Sequence, residues 1–206
     1  MFIAVSGNIG AGKTTLVNRL AQALQARPEL EAVQDNPYLN DFYEDMHRWA
    51  FPLQIYFLSH RFEQAVKITA QTESKILDRT IYEDAHIFAC NLFDMGYLSA
   101  RDYQNYQHLY QTMIPLLSPP DLVIYLKGSV ETLHRRVQQR HATKNVQRKN
   151  ENSIPREYLQ NLNVRYAQWV ETFSLCPILT IDIDFVDLAE EENFQQLLQR
   201  IEPYTP

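Results

Sequence analysis

Residues 7–14 read Gly7-Asn-Ile-Gly-Ala-Gly-Lys13-Thr14 and come directly after the apolar run Phe2-Ile-Ala-Val-Ser6. This stretch holds three of the five glycines in the chain. Glycine tolerates positive φ, so consecutive backbone N–H groups of such a loop can turn toward the oxygens of an oligophosphate. In the phosphate-loop pattern that these residues match, the lysine reaches the β- and γ-phosphates and the next hydroxyl can ligate Mg²⁺. The stretch therefore predicts a nucleotide-binding loop between a strand and a helix.

The residues predicted to bind the nucleotide are this loop and the first helical turn after it. The helix adds the positive end of its dipole to the N–H groups of the loop. The alternative is a glycine-rich turn with an accidental lysine, but at average residue usage the fixed positions match by chance in only about 1 chain in 100. The candidate ligands are Gly7, Asn8, Ile9, Gly10, Ala11, Gly12, Lys13, Thr14 and Thr15. They predict nucleotide binding and leave the reaction open.

Apolar runs and amphipathic stretches alternate along the rest of the chain. Strands that alternate with helices and are apolar almost throughout form parallel sheets covered on both faces. We therefore predict an α/β fold with a doubly wound, parallel five-stranded sheet flanked by helices. No repeat or linker divides the chain, which indicates a single domain over residues 1–206. The strands are predicted at residues 2–6, 30–33, 75–78, 121–127 and 178–183.

Helices are predicted between these strands from their start signals. Pro52 fits the first turn of a helix that runs to about residue 71. Thr80 and Glu83 have the spacing of a capping box, so a second helix is expected to begin there, and Ser99 is suited to cap a third. The predicted inward stripe of the first of these helices is Ile55, Leu58, Phe62 and Ala65.

The composition excludes several classes of protein. With 206 residues and 45% hydrophobic content, the chain can bury a core and is too apolar for a disordered protein. Its net charge of −6 argues against nucleic-acid binding through a general basic surface. Two cysteines, Cys90 and Cys176, cannot supply a disulfide framework or a four-ligand zinc site, which favours a reducing compartment. Without a signal peptide or an apolar run longer than a strand, we expect a cytoplasmic protein without membrane contact.

Beyond the loop, several motifs match one family in order. A GTPase would need an Asn-Lys-x-Asp and an Asp-x-x-Gly motif, and the sequence contains neither. The chain instead resembles the deoxynucleoside kinase family over essentially its whole length. The stretches that carry the resemblance are Glu31-Ala-Val-Gln-Asp-Asn-Pro-Tyr38, Phe42-Tyr-Glu-Asp45, Trp49-Ala-Phe-Pro-Leu-Gln54-Ile-Tyr-Phe-Leu58 with Arg61, Asp78-Arg-Thr80 and Pro177-Ile-Leu-Thr-Ile-Asp182.

The resemblance implies a kinase that moves the γ-phosphate of ATP to the 5′-hydroxyl of a deoxynucleoside, with Mg²⁺ as cofactor and a homodimer as the assembly. Lys13 would hold the donor phosphates. Asp78, at the end of the third predicted strand, would ligate Mg²⁺ directly or through water together with Thr14. Arg79 would bridge the attacking oxygen and the moving phosphoryl group, because guanidinium offers parallel donors to anionic oxygens. The alternative for Asp78-Arg79 is a surface ion pair.

Glu31 is the candidate catalytic carboxylate. It lies at the end of the second predicted strand, and parallel sheets place ligand groups outside the carboxyl ends of their strands. A carboxylate there can accept the proton of an attacking hydroxyl, although positioning matters more than basicity in phosphoryl transfer. The alternatives are a solvated glutamate at this position and Asp35 in the catalytic role.

Four residues on two predicted helices form the candidate site for the nucleobase. Gln54 and Arg61 are seven residues apart and Asp84 and Phe88 four apart, so each pair shares a helix face. Phe88 offers a flat apolar platform, and the other three offer donors and acceptors for the edge of a base. The alternatives are a core aromatic at position 88 and a structural ion pair between Arg61 and Asp84.

The resemblance extends this acceptor site to the sugar and to the choice of base. Tyr43 and Glu151 match positions that hold the sugar hydroxyl in the family. Asp84 resembles the deoxyguanosine, deoxyadenosine and deoxycytidine kinases, whereas relatives that accept thymidine have a small residue there. The version of the motif at residues 36–38, Asn-Pro-Tyr, favours the purines deoxyguanosine and deoxyadenosine, with deoxycytidine as a further candidate.

A basic segment over about residues 136–152 is the candidate lid. Its cations Arg136, Arg140, Lys144 and Arg148 are spaced by four and would stack on one helix face, where like charges destabilise unless an anion arrives between them. ATP phosphates would be such an anion. The segment departs from the compact Arg-x-x-x-Arg-Gly-Arg lid of the family, so Arg136 and Arg140 are the better matches. The alternatives are a solvated helix face and a nucleic-acid patch.

Two other functions remain open at this point. A thymidylate-type nucleoside-monophosphate kinase also has an Asp-Arg pair and a basic lid, but Glu31 would repel the phosphate of its acceptor. A nucleotide-sensing switch or adaptor would bind ATP without turnover. The partners expected for the favoured interpretation are a deoxynucleoside and ATP, and neither nucleic acid nor membrane.

Overall fold

The fold is known from a computed structural model that describes residues 1–30, 36–70, 73–142 and 154–204, with the backbone alone for 140–142. Its centre is a sheet of five parallel strands in the order β2-β3-β1-β4-β5, as predicted. The strands are β1 (Phe2–Gly7), β2 (Arg27–Glu29), β3 (Lys75–Asp78), β4 (Leu122–Lys127) and β5 (Ile178–Asp182).

Helices cover the sheet, as the apolar strands require. In the part of the chain that the structure describes, no helix is long and apolar enough to cross a membrane. The helices are α1 (Lys13–Ala23), α2 (Leu39–Glu44), α3 (Met46–Thr69), α4 (Ile81–Glu83), α5 (Cys90–Asp94), α6 (Ala100–Met113), α7 (Val130–Ala142), α8 (Arg156–Thr172) and α9 (Glu191–Ile201).

The position of β2 differs from the prediction. The strand that the structure describes is Arg27–Glu29, before the predicted residues 30–33, of which 31–33 lie outside the described residues. β2 is an edge strand with two exposed residues, Arg27 and Pro28, so it lacks the apolar run by which the buried strands were recognised. An edge strand also tolerates a proline, whose missing N–H can face away from the sheet.

Helix α3 begins earlier than predicted and buries a different face. Asp45 caps it by accepting a hydrogen bond from the Arg48 backbone N–H at 3.1 Å, so Pro52 lies inside the helix. Of the predicted stripe, Leu58 alone is buried, whereas the other three residues are half-buried. The buried face contains Gln54 and Arg61 because it faces a polar site as well as the core. The buried residues are Ala50, Leu53, Gln54, Leu58, Arg61 and Ile68.

The helix after β3 begins as predicted and then changes its type. Thr80 and Glu83 form both hydrogen bonds of a capping box at the start of α4. Between α4 and α5, Asp84–Ala89 is a π-helix, a form that in proteins is often found at functional sites. The predicted cap of α6 is also present, since the Ser99 hydroxyl accepts from the Asp102 backbone N–H at 3.1 Å.

The strand order brings three loops to one edge of the sheet. β1 lies between β3 and β4, so the loops after these strands meet at the carboxyl ends, where open α/β sheets bind ligands. In the register of the sheet, Val5 is opposite Asp78 and Gly7 is opposite Leu126. The glycine loop therefore leaves β1 directly beside the end of β3.

The packing of α1 on the sheet can be tested by its contribution to the free energy of unfolding. Leu20 of α1 is fully buried in the core, so Leu20→Ala removes apolar contacts and leaves a cavity. We expect a loss of about 2–5 kcal/mol in the free energy of unfolding, measured by urea denaturation followed by circular dichroism. Leu116→Ala, at a residue that is 66% exposed, is the control and is expected to change it by less than about 0.5 kcal/mol. Equal losses in the two variants would contradict this packing.

Candidate active site

The glycine loop has the backbone that the sequence predicted. Gly10 and Gly12 have φ values of +86° and +93°, in the region that favours glycine. A Cβ added at Gly10 would lie 2.7 Å from the carbonyl oxygen of Leu133 in α7. The loop is therefore held against α7, the helix that leads into the predicted lid.

Lys13 is buried at the start of α1 and is directed at the loop. Its Nζ donates a hydrogen bond to the Asn8 carbonyl oxygen at 3.1 Å. The Asn8 side chain lies inside the protein, where its Nδ2 donates to the Leu159 carbonyl oxygen at 3.0 Å and to Asn163 Oδ1 at 2.7 Å. Both partners belong to α8, so this helix fixes the loop in the orientation in which Lys13 can face a phosphate.

Asp78 and Thr14 offer oxygen ligands beside this lysine. The Thr14 hydroxyl donates to Asp78 Oδ2 at 2.5 Å, which joins α1 to the end of β3. Asp78 is 1% exposed, and its other oxygen, Oδ1, is buried with no hydrogen-bond partner among the residues that the structure describes. A buried carboxylate oxygen is costly without a partner, so this pair fits the few protein ligands that Mg²⁺ uses when phosphates supply the rest.

Arg79 occupies a turn that ordinary residues avoid. Its φ is +72°, a left-handed conformation that costs a non-glycine residue about 1–3 kcal/mol and is concentrated at functional sites. Its backbone N–H donates to the Val5 carbonyl oxygen at 3.0 Å. The buried guanidinium lies over the Phe88 ring, with 4.2 Å from Cζ to the ring centroid. One residue thus links β1 to the predicted platform for the base.

Arg61 of α3 holds this turn from the other side. Its Nη1 donates to the carbonyl oxygens of Asp78 and Arg79, each at 3.1 Å. Its Nε lies 2.5 Å from Asp84 Oδ2, and both side chains of this ion pair are 5% exposed. The structural ion pair that the sequence allowed is therefore present, and it is part of the site because it supports the Asp78-Arg79 turn.

Gln54 lies on the buried face of α3 with Arg61, and Phe88 is buried on the π-helix with Asp84. Gln54 is 3% exposed, and its carbonyl oxygen has no hydrogen-bond partner in the described ranges. A buried amide oxygen left unpaired costs about 1–3 kcal/mol, so a donor from a bound molecule would satisfy it. Phe88 is buried as a core aromatic would be, and its ring also faces Arg79.

The remaining predicted residues are only partly described. Tyr43 is half-buried on α2 and packs edge-on against Phe42. Arg136 of α7 donates from Nη1 to the Ala11 carbonyl oxygen at 3.3 Å, so this predicted lid arginine touches the loop. Ile9 is half-buried and Thr15 exposed. The predicted residues that lie outside the described structure are Glu31, Arg148, Glu151 and the side chain of Arg140.

The sequence analysis missed three residues at this edge of the sheet. Asn163 and Tyr166 project from α8 onto the loop, and no motif in the sequence marked them as part of the site. Phe185, in the segment after β5, is 87% exposed. Its neighbour Asp184 accepts hydrogen bonds from the backbone and hydroxyl of Ser129, at 2.8 and 3.1 Å, and so holds the segment near α7. An aromatic residue just after a predicted strand was the signal for Phe185.

The chain is similar to proteins that are named for one activity. The family model for deoxynucleoside kinases matches residues 3–204. The deoxyadenosine/deoxycytidine kinase of Bacillus subtilis is 40% identical over 193 residues, which are 93% of this chain and 86% of the relative. The deoxyadenosine kinase of Dictyostelium discoideum is 39% identical over 197 residues, with 96% and 77% covered.

The chain belongs to the deoxynucleoside kinase family. A structure of the deoxyadenosine kinase from M. mycoides with bound dATP superimposes on this kinase with a TM-score of 0.84 at 30% identity, covering 98% of this chain and 99% of the other. The predicted family, fold class and reaction class are therefore confirmed. The thymidylate-type kinase and the non-catalytic switch lose their support, because the matched relatives are named deoxynucleoside kinases.

The contact between Gly10 and α7 can be tested by adding one methyl group. In Gly10→Ala the new Cβ meets the Leu133 carbonyl, so the loop or α7 must move away from its place. We expect the Kd for ATP to rise at least about 10-fold by calorimetry, since displacements near 1 Å can cost 10²-fold at a site.

Gly96→Ala is the matched control for this variant. Gly96 also has a positive φ, +79°, but an added Cβ there has no atom within 4 Å. It shares the backbone strain without the collision, so its Kd for ATP should stay within about 2-fold of the wild type. An unchanged Kd in Gly10→Ala would show that the loop does not bind ATP in this conformation.

Proposed function

We propose that this kinase transfers the γ-phosphate of ATP to the 5′-hydroxyl of a purine deoxynucleoside, with deoxycytidine as a further substrate. The observation that carries the proposal is the continuity of Asp78 and Arg79. Asp78 bonds to Thr14 of the phosphate-binding helix, whereas the next residue lies over Phe88. Two consecutive residues thus join a donor site to an acceptor site across a few ångströms.

The donor side would use Lys13 and a bound Mg²⁺ ion. Mg²⁺ would be held by Thr14 and, directly or through water, by Asp78, whose free oxygen supports this assignment. When bound, the ion neutralises charge on the β- and γ-phosphates. Lys13 supplies a second cation, and Arg136, which already touches the loop, would close over the phosphates with Arg140 and Arg148. Phe185 is an exposed ring in the segment that Asp184 holds near α7, and it would pack against the base of ATP.

The acceptor side would hold the nucleoside by its base and its sugar. Phe88 would form the apolar platform and Gln54 would bond to the base edge, as its buried unpaired oxygen supports. Asp84, fixed by Arg61, accepts hydrogen bonds, and the exocyclic amino groups of adenine and cytosine donate them whereas thymine offers O4 and a methyl group. Tyr43 and Glu151 would bind the sugar hydroxyl.

The names of the relatives support a preference for purines. Three of these relatives are a deoxyadenosine/deoxycytidine kinase, a deoxyadenosine kinase and a deoxyguanosine kinase, the last from Lactobacillus johnsonii at 36% identity. The structures from M. mycoides hold dATP or dCTP. We also propose a homodimer, as the family resemblance implies. A cytoplasmic location is proposed as well, because the free thiols of Cys90 and Cys176 support a reducing compartment.

A panel of substrates tests the proposed reaction. With ATP and Mg²⁺, kcat/KM for deoxyadenosine and deoxyguanosine is expected to exceed that for thymidine at least about 100-fold, because adenine and guanine carry amino donors for the Asp84 carboxylate whereas thymine has no amino group. Deoxycytidine should lie between them. The assay includes the matching deoxynucleoside monophosphates, which should not be phosphorylated. Thymidine as the best substrate would overturn the role of Asp84, and faster turnover of a monophosphate would overturn the acceptor class.

A second experiment tests Glu31 as the group that receives the proton of the 5′-hydroxyl. In the sequence, Glu31 comes two residues after Glu29, the last residue of β2. Glu31→Gln keeps the size of the side chain and removes its basicity, so kcat is expected to fall about 10²–10⁴-fold while the Kd for ATP stays unchanged.

The control is Glu192→Gln on the exposed face of α9, which should keep the kcat of the wild type. If Glu31→Gln were as active as this control, Asp35→Asn would be compared next, since Asp35 is the other carboxylate of the segment. Full activity in both variants would show that the reaction needs no carboxylate after β2.

A further inference from the structure

A buried carboxylate connects the phosphate-binding loop to the turn that carries Arg79. Glu83 is fully buried, and its Oε1 accepts the capping-box bond from the Thr80 backbone N–H at 2.8 Å and a further bond from the Thr80 hydroxyl at 3.3 Å. A helix cap needs no more than this oxygen. The second oxygen, Oε2, is directed away from the helix, toward Tyr166 at 2.8 Å and the backbone N–H of Gly7 at 3.4 Å.

Tyr166 completes the connection from α8. Its hydroxyl lies 2.8 Å from the Gly7 carbonyl oxygen as well as 2.8 Å from Glu83 Oε2. Burial raises the pKa of Tyr166 well above its ordinary value, so the hydroxyl keeps its proton and remains a donor. The hydroxyl shares its one proton between these two acceptors, and both polar groups of Gly7, the residue where β1 passes into the loop, lie within hydrogen-bond distance of this cluster.

The ring of Tyr166 lies between the donor and acceptor sides. It stacks on Tyr125 of β4, with 5.6 Å between the centroids and 15° between the planes. It also meets the Phe88 ring edge-on at 6.4 Å. Phe88 is the ring beneath the Arg79 guanidinium. A shift of Tyr166 would thus move the origin of the loop and the platform for the base relative to each other.

We propose that Glu83 and Tyr166 are positioning residues that set the distance between the two reacting sites. This inference rests on the proposed phosphoryl transfer. Neither residue would touch ATP or the deoxynucleoside. Each side would keep its own contacts without them, but the γ-phosphate and the 5′-hydroxyl would no longer be held in line. Loss of such alignment lowers the rate of the chemical step more than it lowers binding.

The test is a comparison of kcat and KM in Tyr166→Phe, which removes one hydroxyl and keeps the ring. We expect kcat to fall about 10-fold, while KM for ATP and for the deoxynucleoside each change less than about 3-fold. Tyr125→Phe is the matched control, because it makes the same change in the ring that stacks on Tyr166, and its kcat should stay within about 2-fold of the wild type. Thermal unfolding of both variants is recorded in parallel.

Glu83→Gln gives an independent measurement should Tyr166→Phe fold poorly. A glutamine can still cap the helix, but its uncharged amide replaces one of the carboxylate oxygens. We expect kcat to fall again with little change in either KM. The kcat of the double variant should be no lower than that of the less active single variant, since both residues act through Gly7.

Three outcomes would overturn the inference: an unchanged kcat with a lower melting temperature, a rise in one KM alone, or additive losses in the double variant. A wild type that phosphorylates no deoxynucleoside would instead refute the proposed function. Full wild-type activity together with an equally active Tyr166→Phe would refute only the positioning role.

Discussion

The buried guanidinium of Arg61 is the contact on which the candidate active site depends. A buried charge is tolerated only when it is paired and its donors are used, and the loss of one partner typically costs about 3–5 kcal/mol. Here the partners are the carbonyl groups of Asp78 and Arg79 and the carboxylate of Asp84. Because these partners lie on β3, its turn and the π-helix, the three elements must assemble around α3 together. The left-handed conformation of Arg79 persists because this assembly supports it.

The parts of the fold that the sequence predicted are those with a local signal. The glycine loop, the strand that ends at Asp78 and the capping box of Thr80 and Glu83 depend on neighbouring residues and are present where expected. β2 was misplaced because an edge strand needs no apolar run. The start of α3 was missed because the side chain of Asp45 caps the helix. The helix therefore begins at Met46, six residues before Pro52.

The candidate site was predicted as a set of residues but not as an arrangement. The Asp-Arg pair and the residues of α3 came from motifs, whereas the bond between Arg61 and the turn depends on a distance of 17 residues in the chain. The contacts of α8 with the loop join residues about 150 apart and leave no pattern in a single sequence. The buried face of α3 was also predicted wrongly, because it includes the polar residues Gln54 and Arg61. A search for apolar periodicity does not count polar residues as buried.

The π-helix at Asp84–Ala89 makes the proposed nucleobase pocket sensitive to chain length. Relative to an α-helix, a π-turn contains an extra residue, and both Asp84 and Phe88 lie within it. Deletion of one residue there would restore regular winding and rotate the acidic group away from the aromatic ring. Selectivity in this pocket can therefore diverge among descendants of one gene through an insertion or a deletion, and not solely through exchange of one amino acid for another.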